Sequence, residues 1–249
     1  MRPTSPAALP VACLTAAVLL TAVGCTADPA PAPAAAPDPA GLVGKAAEAL
    51  RASRSVTVDF DSRQGNSVYT GTLSVDAAGT CVGAITKSGK PLGIGRVEVI
   101  RTPQGAWYRG ERSVFDTSGL EQAWERYGDR YVTGQGADDL FDGAGICRSI
   151  GYYFDPEVDP LKEDGATLGG SRTVAGREGY EVAFPGGRTV VVAKGDRPVV
   201  LQDGSVSASS SVELRFRDHG GPVTAVVPPA DRTVRLDTVT HEAGVFEAS

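Results

Sequence analysis

Residues 55–75 read SVTVDFDSRQGNSVYTGTLSV, two runs rich in β-branched residues on either side of a Gly-Asn pair. In the first run Val56, Val58 and Phe60 alternate with polar residues. A period of two is typical of a strand with one buried face, and a short glycine-containing connection is typical of an antiparallel hairpin. The stretch therefore predicts the start of an antiparallel sheet.

The sheet continues along the chain, and one helix precedes it. Residues 80–86, 94–101 and 105–109 are further β-rich runs separated by short polar turns. Upstream, Asp38-Pro39 has the N-cap acid and first-turn proline of a helix start, and apolar residues then recur at helical spacing as far as Ser53. The first half of the chain is thus one amphipathic helix followed by about five strands.

The middle of the chain has a helical, aromatic character. Residues 118–121 (SGLE) have the capping-box pattern, and short helices are predicted near 138–142 and 146–152. Segment 107–154 contains ten of the sixteen aromatic residues. The rings either pack helices onto the sheet or line an apolar cavity. If a cavity exists, its candidate lining residues on the predicted helices are Trp124, Tyr127, Tyr131, Phe141 and Ile146.

Strands return after Gly165 and end at Pro228-Pro229, giving about five more. We predict an α+β fold: a single curled antiparallel sheet of about 9–11 strands, a half-barrel, covered by several helices. The domain spans residues 41–236, and residues 237–249 are expected to be a flexible tail.

The N-terminus predicts export. A basic Arg2 is followed by a short apolar run that ends in Ala22-Val23-Gly24-Cys25, the layout of a secretory signal peptide over residues 1–24. The end of this run resembles the lipobox of bacterial lipoproteins, although Ala22 stands where that family most often has Leu. The resemblance implies cleavage before Cys25, diacylglycerol on its sulfur, palmitate as a further acyl group, and attachment to the extracytoplasmic face of the cell membrane.

A Pro- and Ala-rich spacer follows over residues 25–40, and such tracts are extended and semi-rigid. The chain has 24 basic and 30 acidic residues, for a net charge of −6. This acidity argues against nucleic acid as a partner. We therefore expect the lipid alone, without a polybasic surface, to attach the protein to the membrane.

Cys81 and Cys147 form an even pair once Cys25 is lipidated. In an exported protein such a pair favours a disulfide, here closing a loop of about 66 residues. The alternatives are that the two cysteines bind a metal ion or that one of them is a reactive thiol. No histidine lies near either cysteine in the sequence to support these alternatives.

Several features together resemble a known family. They are the lipobox, the spacer, the helix leading into SVTVDF, the hairpin near 169–182 and the closing PVTAVVPPAD. They are similar to actinobacterial lipoproteins of the LppX/LprG type, which share the half-barrel of LolA-like carriers. The resemblance implies binding of acylated lipid between sheet and helices, without defining individual ligand residues.

No pattern of catalytic residues stands out. The two histidines, His219 and His241, lie in a Gly-rich turn and in the tail, and G-x-S-x-G is absent. Asp155 begins an acid-rich loop, but Pro160 stands where a calcium loop needs glycine. We expect a non-enzymatic protein without cofactor or metal. It would bind lipid or another apolar ligand; the alternative is an interaction or sensor module for another envelope protein.

Overall fold

The structure, a computed structural model, describes residues 36–89, 94–116, 120–141 and 143–242. For residues 143, 144 and 242 only the backbone is described. The predicted signal peptide, Cys25 and most of the spacer lie outside these ranges. The described residues from 37 onward form one compact unit.

Helix α1 (Pro39–Ser53) begins where the sequence predicts it. The Asp38 carboxylate accepts a 2.7 Å hydrogen bond from the Gly41 amide, which satisfies one of the free N–H groups of the first turn. Val43, Ala46, Ala47 and Leu50 are buried, so the apolar stripe faces the core.

Five antiparallel strands follow α1 in the described part of the chain: β1 (Ser55–Gln64), β2 (Ser67–Asp76), β3 (Cys81–Ser88), β4 (Gly95–Thr102) and β5 (Gly105–Gly110). Residues 111–166, which we call the insert, contain four short helices and one strand where the structure describes them: α2 (Arg112–Asp116), α3 (Glu121–Tyr127), β6 (Tyr131–Thr133), α4 (Ala137–Phe141) and α5 (Gly143–Gly151), with a 3₁₀ turn at Tyr152–Phe154. The described residues after the insert form six strands and one helix: β7 (Thr167–Val174), β8 (Arg177–Phe184), β9 (Arg188–Ala193), β10 (Val200–Val206), β11 (Ser210–Arg217), β12 (Thr233–Arg235) and α6 (Leu236–Glu242).

All twelve described strands belong to one open sheet, in the order β12-β6-β5-β4-β3-β2-β1-β11-β10-β9-β8-β7. The predicted α+β class with a single large sheet is confirmed. The strand count is higher than the predicted 9–11. The sheet is also mixed, because β12 pairs with β6 in parallel while the other neighbouring strands pair antiparallel.

The helices pack on one face of the sheet, which we call the helix face. Leu73, Tyr108 and Val132 project from this face into one core that also contains the buried residues of α1 to α6. A disulfide joins Cys81 of β3 to Cys147 of α5, and both cysteines are buried. It ties the insert to the sheet. The alternate residues of each strand form the opposite side, which we call the outer face.

The chain end differs from the sequence expectation. Residues 236–242 form helix α6 instead of the beginning of a flexible tail, and Val239 is fully buried. Leu236, Val239 and Thr240 are buried at a spacing of three and four residues, the signature of one helical face. Residues 243–249 lie outside the described part of the chain. Among the helices that the structure describes, none is long and apolar enough to cross a membrane.

Candidate functional site

Four of the five predicted lining residues lie in the packed core or against it: Trp124, Tyr127, Phe141 and Ile146. Phe141 stacks on Tyr108, with ring centroids 5.4 Å apart. Phe115 lies edge-on to both Trp124 and Phe141, at 5.3 and 6.1 Å. Tyr127 is also buried. These rings pack α2, α3 and α4 onto the sheet, as the packing interpretation of the aromatic segment predicts.

A polar pair below these rings fixes α4. The Tyr108 hydroxyl donates a hydrogen bond to the Asp138 carboxylate, which also accepts one from Arg101 at 3.2 Å. Burial raises the pKa of Tyr108 well above its usual value, and the Asp138 carboxylate raises it further. Tyr108 therefore stays protonated and continues to donate to α4.

The sequence predicts that Tyr131 lies on a helix, and this prediction is wrong. Helix α3 ends at Tyr127, and Tyr131 begins strand β6. The register puts it on the outer face, because its neighbour Val132 pairs with Tyr108 on the helix face. Its hydroxyl donates to Glu98 at 3.2 Å, and the Arg109 guanidinium lies 4.9 Å from its ring centre. Burial is the largest of the effects that raise the pKa of Tyr131.

Of the five predicted residues, Trp124 borders an open, charged groove, whose other lining residues include Arg96 and Arg232. Ile146 is half-buried on α5. Tyr127, Tyr131, Phe141 and Ile146 line neither this groove nor the other four hollows described for the chain. The predicted set is therefore not brought together around one void.

A more apolar hollow lies between α3, α4 and α6, with a volume of about 600 Å³. We call it the apolar cleft. Its lining combines three leucines with a polar border: Leu120, Leu140, Leu236, Gln135, Gly136, Asp139, Arg235, Asp237, Thr240 and His241. It opens to solvent, so a ligand can enter without unfolding the domain.

The walls of the apolar cleft come from distant parts of the chain. Leu120 precedes α3, Leu140 belongs to α4, and Leu236 begins α6 directly after the parallel pairing of β12 with β6. The Thr240 hydroxyl is satisfied by the Leu236 carbonyl at 3.0 Å. The parallel β12–β6 pair thus brings the C-terminal helix against the insert and completes the cleft.

The border of the apolar cleft carries charge. Arg235 and Asp237 form an ion pair with a nitrogen–oxygen distance of 2.8 Å, and the hydrogen bond from Arg235 lowers the pKa of Asp237. Both side chains are exposed and remain accessible to a ligand. The cleft therefore offers an apolar floor with charged groups at its mouth.

None of the three leucines of the cleft is among the residues that the sequence predicts to line a cavity. The sequence predicts Leu120 only as part of the apolar face of a helix, and it predicts residues 237–249 to be a flexible tail. The signal was present in LDTVTHE, where Leu236, Val239 and Thr240 repeat at helical spacing. What the sequence could not indicate is that this helix lies against α3, more than a hundred residues earlier.

The other candidate chemistry is sparse. His219 packs at the end of β11, with Nε2 3.1 Å from the Val200 carbonyl, and His241 is exposed on α6. In the described ranges no group of three or more His, Cys, Asp or Glu side chains is arranged to hold a metal ion.

Neither a protein-family model nor a curated protein matches the sequence. Among solved structures the chain is similar to LprF from Mycobacterium bovis, with a TM-score of 0.52 and 14% identity over 78% of this chain and 99% of that one. It is also similar to the lipoprotein LppX from Mycobacterium tuberculosis, with a TM-score of 0.47 and 13% identity over 75% and 97%. The similarity to LprF confirms, at the level of the fold, the resemblance that the sequence predicts.

Proposed function

We propose that this protein is an exported lipoprotein, anchored through Cys25 to the extracytoplasmic face of the cell membrane, that binds the acyl part of a lipid in the apolar cleft. The observation that carries this proposal is the cleft itself, with its leucine floor and charged mouth. The signal-peptide pattern and the fold shared with LprF support the same conclusion.

The size and chemistry of the apolar cleft suit an acyl chain. Its volume of about 600 Å³ lies within the range of about 300–1,000 Å³ that is usual for small-molecule sites. Burying apolar surface against leucines yields about 25 cal/mol per Å². The charged residues at the mouth would meet the polar end of the lipid.

The proposal places the ligand differently from the sequence expectation. That expectation was a void between sheet and helices, lined by the aromatic residues of the insert. Phe141 and Tyr127 instead fill this space and are nearly inaccessible to solvent. The cleft among α3, α4 and α6 takes its place as the ligand site, and catalysis forms no part of the proposal.

The test uses the mature chain with Cys25→Ser, which cannot carry the anchor, isolated from its native host. Native mass spectrometry and organic extraction should find a co-purifying lipid. Leu140→Gln should reduce its occupancy, because an amide in the cleft floor must be desolvated when an acyl chain binds. Val206→Gln is the matched control, since Val206 is 67% exposed and lies far from the cleft in β10.

Two results would contradict the proposal. One is a protein that carries no lipid and takes up none from mixed vesicles. The other is a Leu140→Gln variant, folded by circular dichroism, that carries as much lipid as the wild type.

A second candidate, docking to another envelope protein, is favoured by segment 222–229. Val226 and Val227 in this extended segment are 74% and 50% exposed. Flanking prolines keep such a segment extended. A photo-crosslinking amino acid at position 226 in the native host would give a defined protein adduct if this surface docks a partner. Val158, which is 49% exposed and lies outside this segment, offers a control position.

A further inference from the structure

A second hollow lies on the outer face of the sheet, across β1, β9, β10 and β11, with a volume of about 410 Å³. We call it the polar trough. Its floor includes Gln202, Thr189 and Gly204, and its remaining lining residues are Asp61, Arg63, Arg172, Gly187, Ser205, Val206, Ser211, Val212, Glu213 and Arg215. At Gly204 an added Cβ would lie 3.1 Å from the Val212 carbonyl oxygen, so the absence of a side chain there deepens the trough.

Gln202 is the key residue of the polar trough. It lies in β10, paired with Val191 on one side and Arg215 on the other, and is only 5% exposed. Its neighbour Asp203 bonds to Tyr153 on the helix face, so Gln202 points to the outer face. Within the part of the chain that the structure describes, the Gln202 side-chain amide makes no hydrogen bond, although it could make several.

Other polar groups in the trough share this property. The half-buried hydroxyls of Thr189 and Ser211 have no side-chain hydrogen bond to any described residue. No fully buried side-chain nitrogen or oxygen of the described residues lacks a hydrogen-bond partner, so the Gln202 amide and these hydroxyls are open to the solvent in the trough. A polar ligand that brings its own donors and acceptors would replace the water there.

The charges around the polar trough define the class of that ligand. Each arginine faces a carboxylate: Arg63 lies 3.8 Å from Asp61, Arg172 lies 3.6 Å from Glu181, and Arg215 contacts Glu213. Because each positive charge around the trough is paired with a negative one, the trough favours neither an anion nor a cation as its ligand. The lining instead alternates N–H donors with oxygen acceptors.

We propose that the polar trough binds a saccharide. Each sugar hydroxyl is both a donor and an acceptor, and neighbouring hydroxyls can bridge an arginine and its partner carboxylate. The Gln202 amide also presents one donor group and one acceptor at the floor, and so matches two adjacent hydroxyls. None of the described lining residues is aromatic, so affinity rests on hydrogen bonds that replace water and is expected to be weak.

The saccharide site is independent of the lipid proposal. The polar trough lies on the outer face near one edge of the sheet, whereas the apolar cleft lies among helices at the edge formed by β6 and β12. Leu140→Gln should leave saccharide binding unchanged, so failure of one proposal does not decide the other.

The test is a titration of the ¹⁵N-labelled mature chain, with Cys25→Ser, followed by NMR. The probes are maltose, mannobiose and N,N′-diacetylchitobiose up to tens of millimolar, with inorganic phosphate and spermidine as charged probes. We expect at least one disaccharide to shift the Gln202 side-chain amide and the backbone amides of β10 and β11. Gln202→Leu should weaken that binding about tenfold or more, since it removes both hydrogen-bonding groups.

Gln104→Leu is the matched control, because Gln104 is exposed in the turn between β4 and β5. Thr189→Val tests the floor with a shape-conserving change and should also weaken binding. The proposal is overturned if no disaccharide shifts these amides, if phosphate or spermidine shifts them and the disaccharides do not, or if Gln202→Leu and Thr189→Val bind as the wild type does.

Discussion

Tyr153 donates a 2.5 Å hydrogen bond to the carboxylate of Asp203 on the helix face of the sheet. Both residues are buried, and Asp203 also receives two hydrogen bonds from Arg188, at 2.9 and 2.6 Å. Arg188 in turn donates to the Pro160 carbonyl. The cluster thus fastens the segment that follows α5 to strands β9 and β10.

Tyr153→Phe should destabilise the fold by about 1–3 kcal/mol, because it removes a buried hydrogen bond to a charged acceptor and leaves Asp203 with one partner fewer. Burial holds the pKa of Tyr153 well above its usual value, so the hydroxyl donates throughout the neutral range. Urea unfolding followed by tryptophan fluorescence measures the loss. Tyr152→Phe is the control, since Tyr152 is exposed; equal losses in the two variants would contradict the role given to Asp203.

Loss of the disulfide should cost about 4 kcal/mol of unfolding free energy. This value follows from the entropy of closing a loop of 66 residues in the unfolded chain. The Cys81→Ala, Cys147→Ala variant and the wild type with reductant should have similarly lowered urea midpoints. A variant as stable as the oxidised wild type, or two free thiols in protein isolated from its host, would refute this role.

Local patterns in the sequence predicted most of the fold. Helix α1 begins at Pro39 because Asp38 caps it, and β1 and β2 pair as their alternating residues require. These features depend on neighbouring residues. Helix α3, by contrast, was predicted to reach Tyr131, but Gly128 and Asp129 turn the chain after Tyr127 and let Tyr131 enter β6.

The candidate site was less predictable because its parts are distant in sequence. The apolar cleft requires β12 to pair with β6, a three-residue parallel match about a hundred residues apart. The orientation of the Gln202 amide could not be predicted either, because the sequence VLQDGSV does not indicate on which face of the sheet this side chain lies. Only the bonding of Asp203 to Tyr153 settles that orientation.

Cys25→Ala should move the protein from the membrane fraction to the medium or leave its signal peptide uncleaved. The reason is that the Ala22-Val23-Gly24-Cys25 pattern supplies the thiol to which the lipid would be attached, and at least two acyl chains are needed for stable anchoring. Fractionation combined with intact mass measures the change. Cys13→Ala is the control, since Cys13 lies within the predicted signal peptide. Membrane retention of Cys25→Ala at the normal mature mass would contradict lipidation.

His219 should make the fold less stable as the pH falls. Burial lowers its pKa below the ordinary value of 6.5, an effect that outweighs the hydrogen bond to the Val200 carbonyl, and nearby Arg177 lowers it further while Asp218 opposes this. The unfolded chain therefore takes up a proton at this histidine at a higher pH than the folded chain. The stabilisation is complete above the unfolded pKa and is lost as the pH drops through the lower, folded pKa.

His219→Gln should accordingly flatten the dependence of unfolding free energy on pH between about 7 and 5, because glutamine can still donate to Val200 but cannot be protonated there. Urea unfolding at closely spaced pH values measures both slopes, and the carboxylates common to both proteins contribute equally and cancel in the comparison. His241→Gln controls for the loss of an imidazole on the exposed side of α6. If the two variants change the slope alike, or if His219→Gln leaves it as in the wild type, the buried position of His219 is not the source of the acid sensitivity.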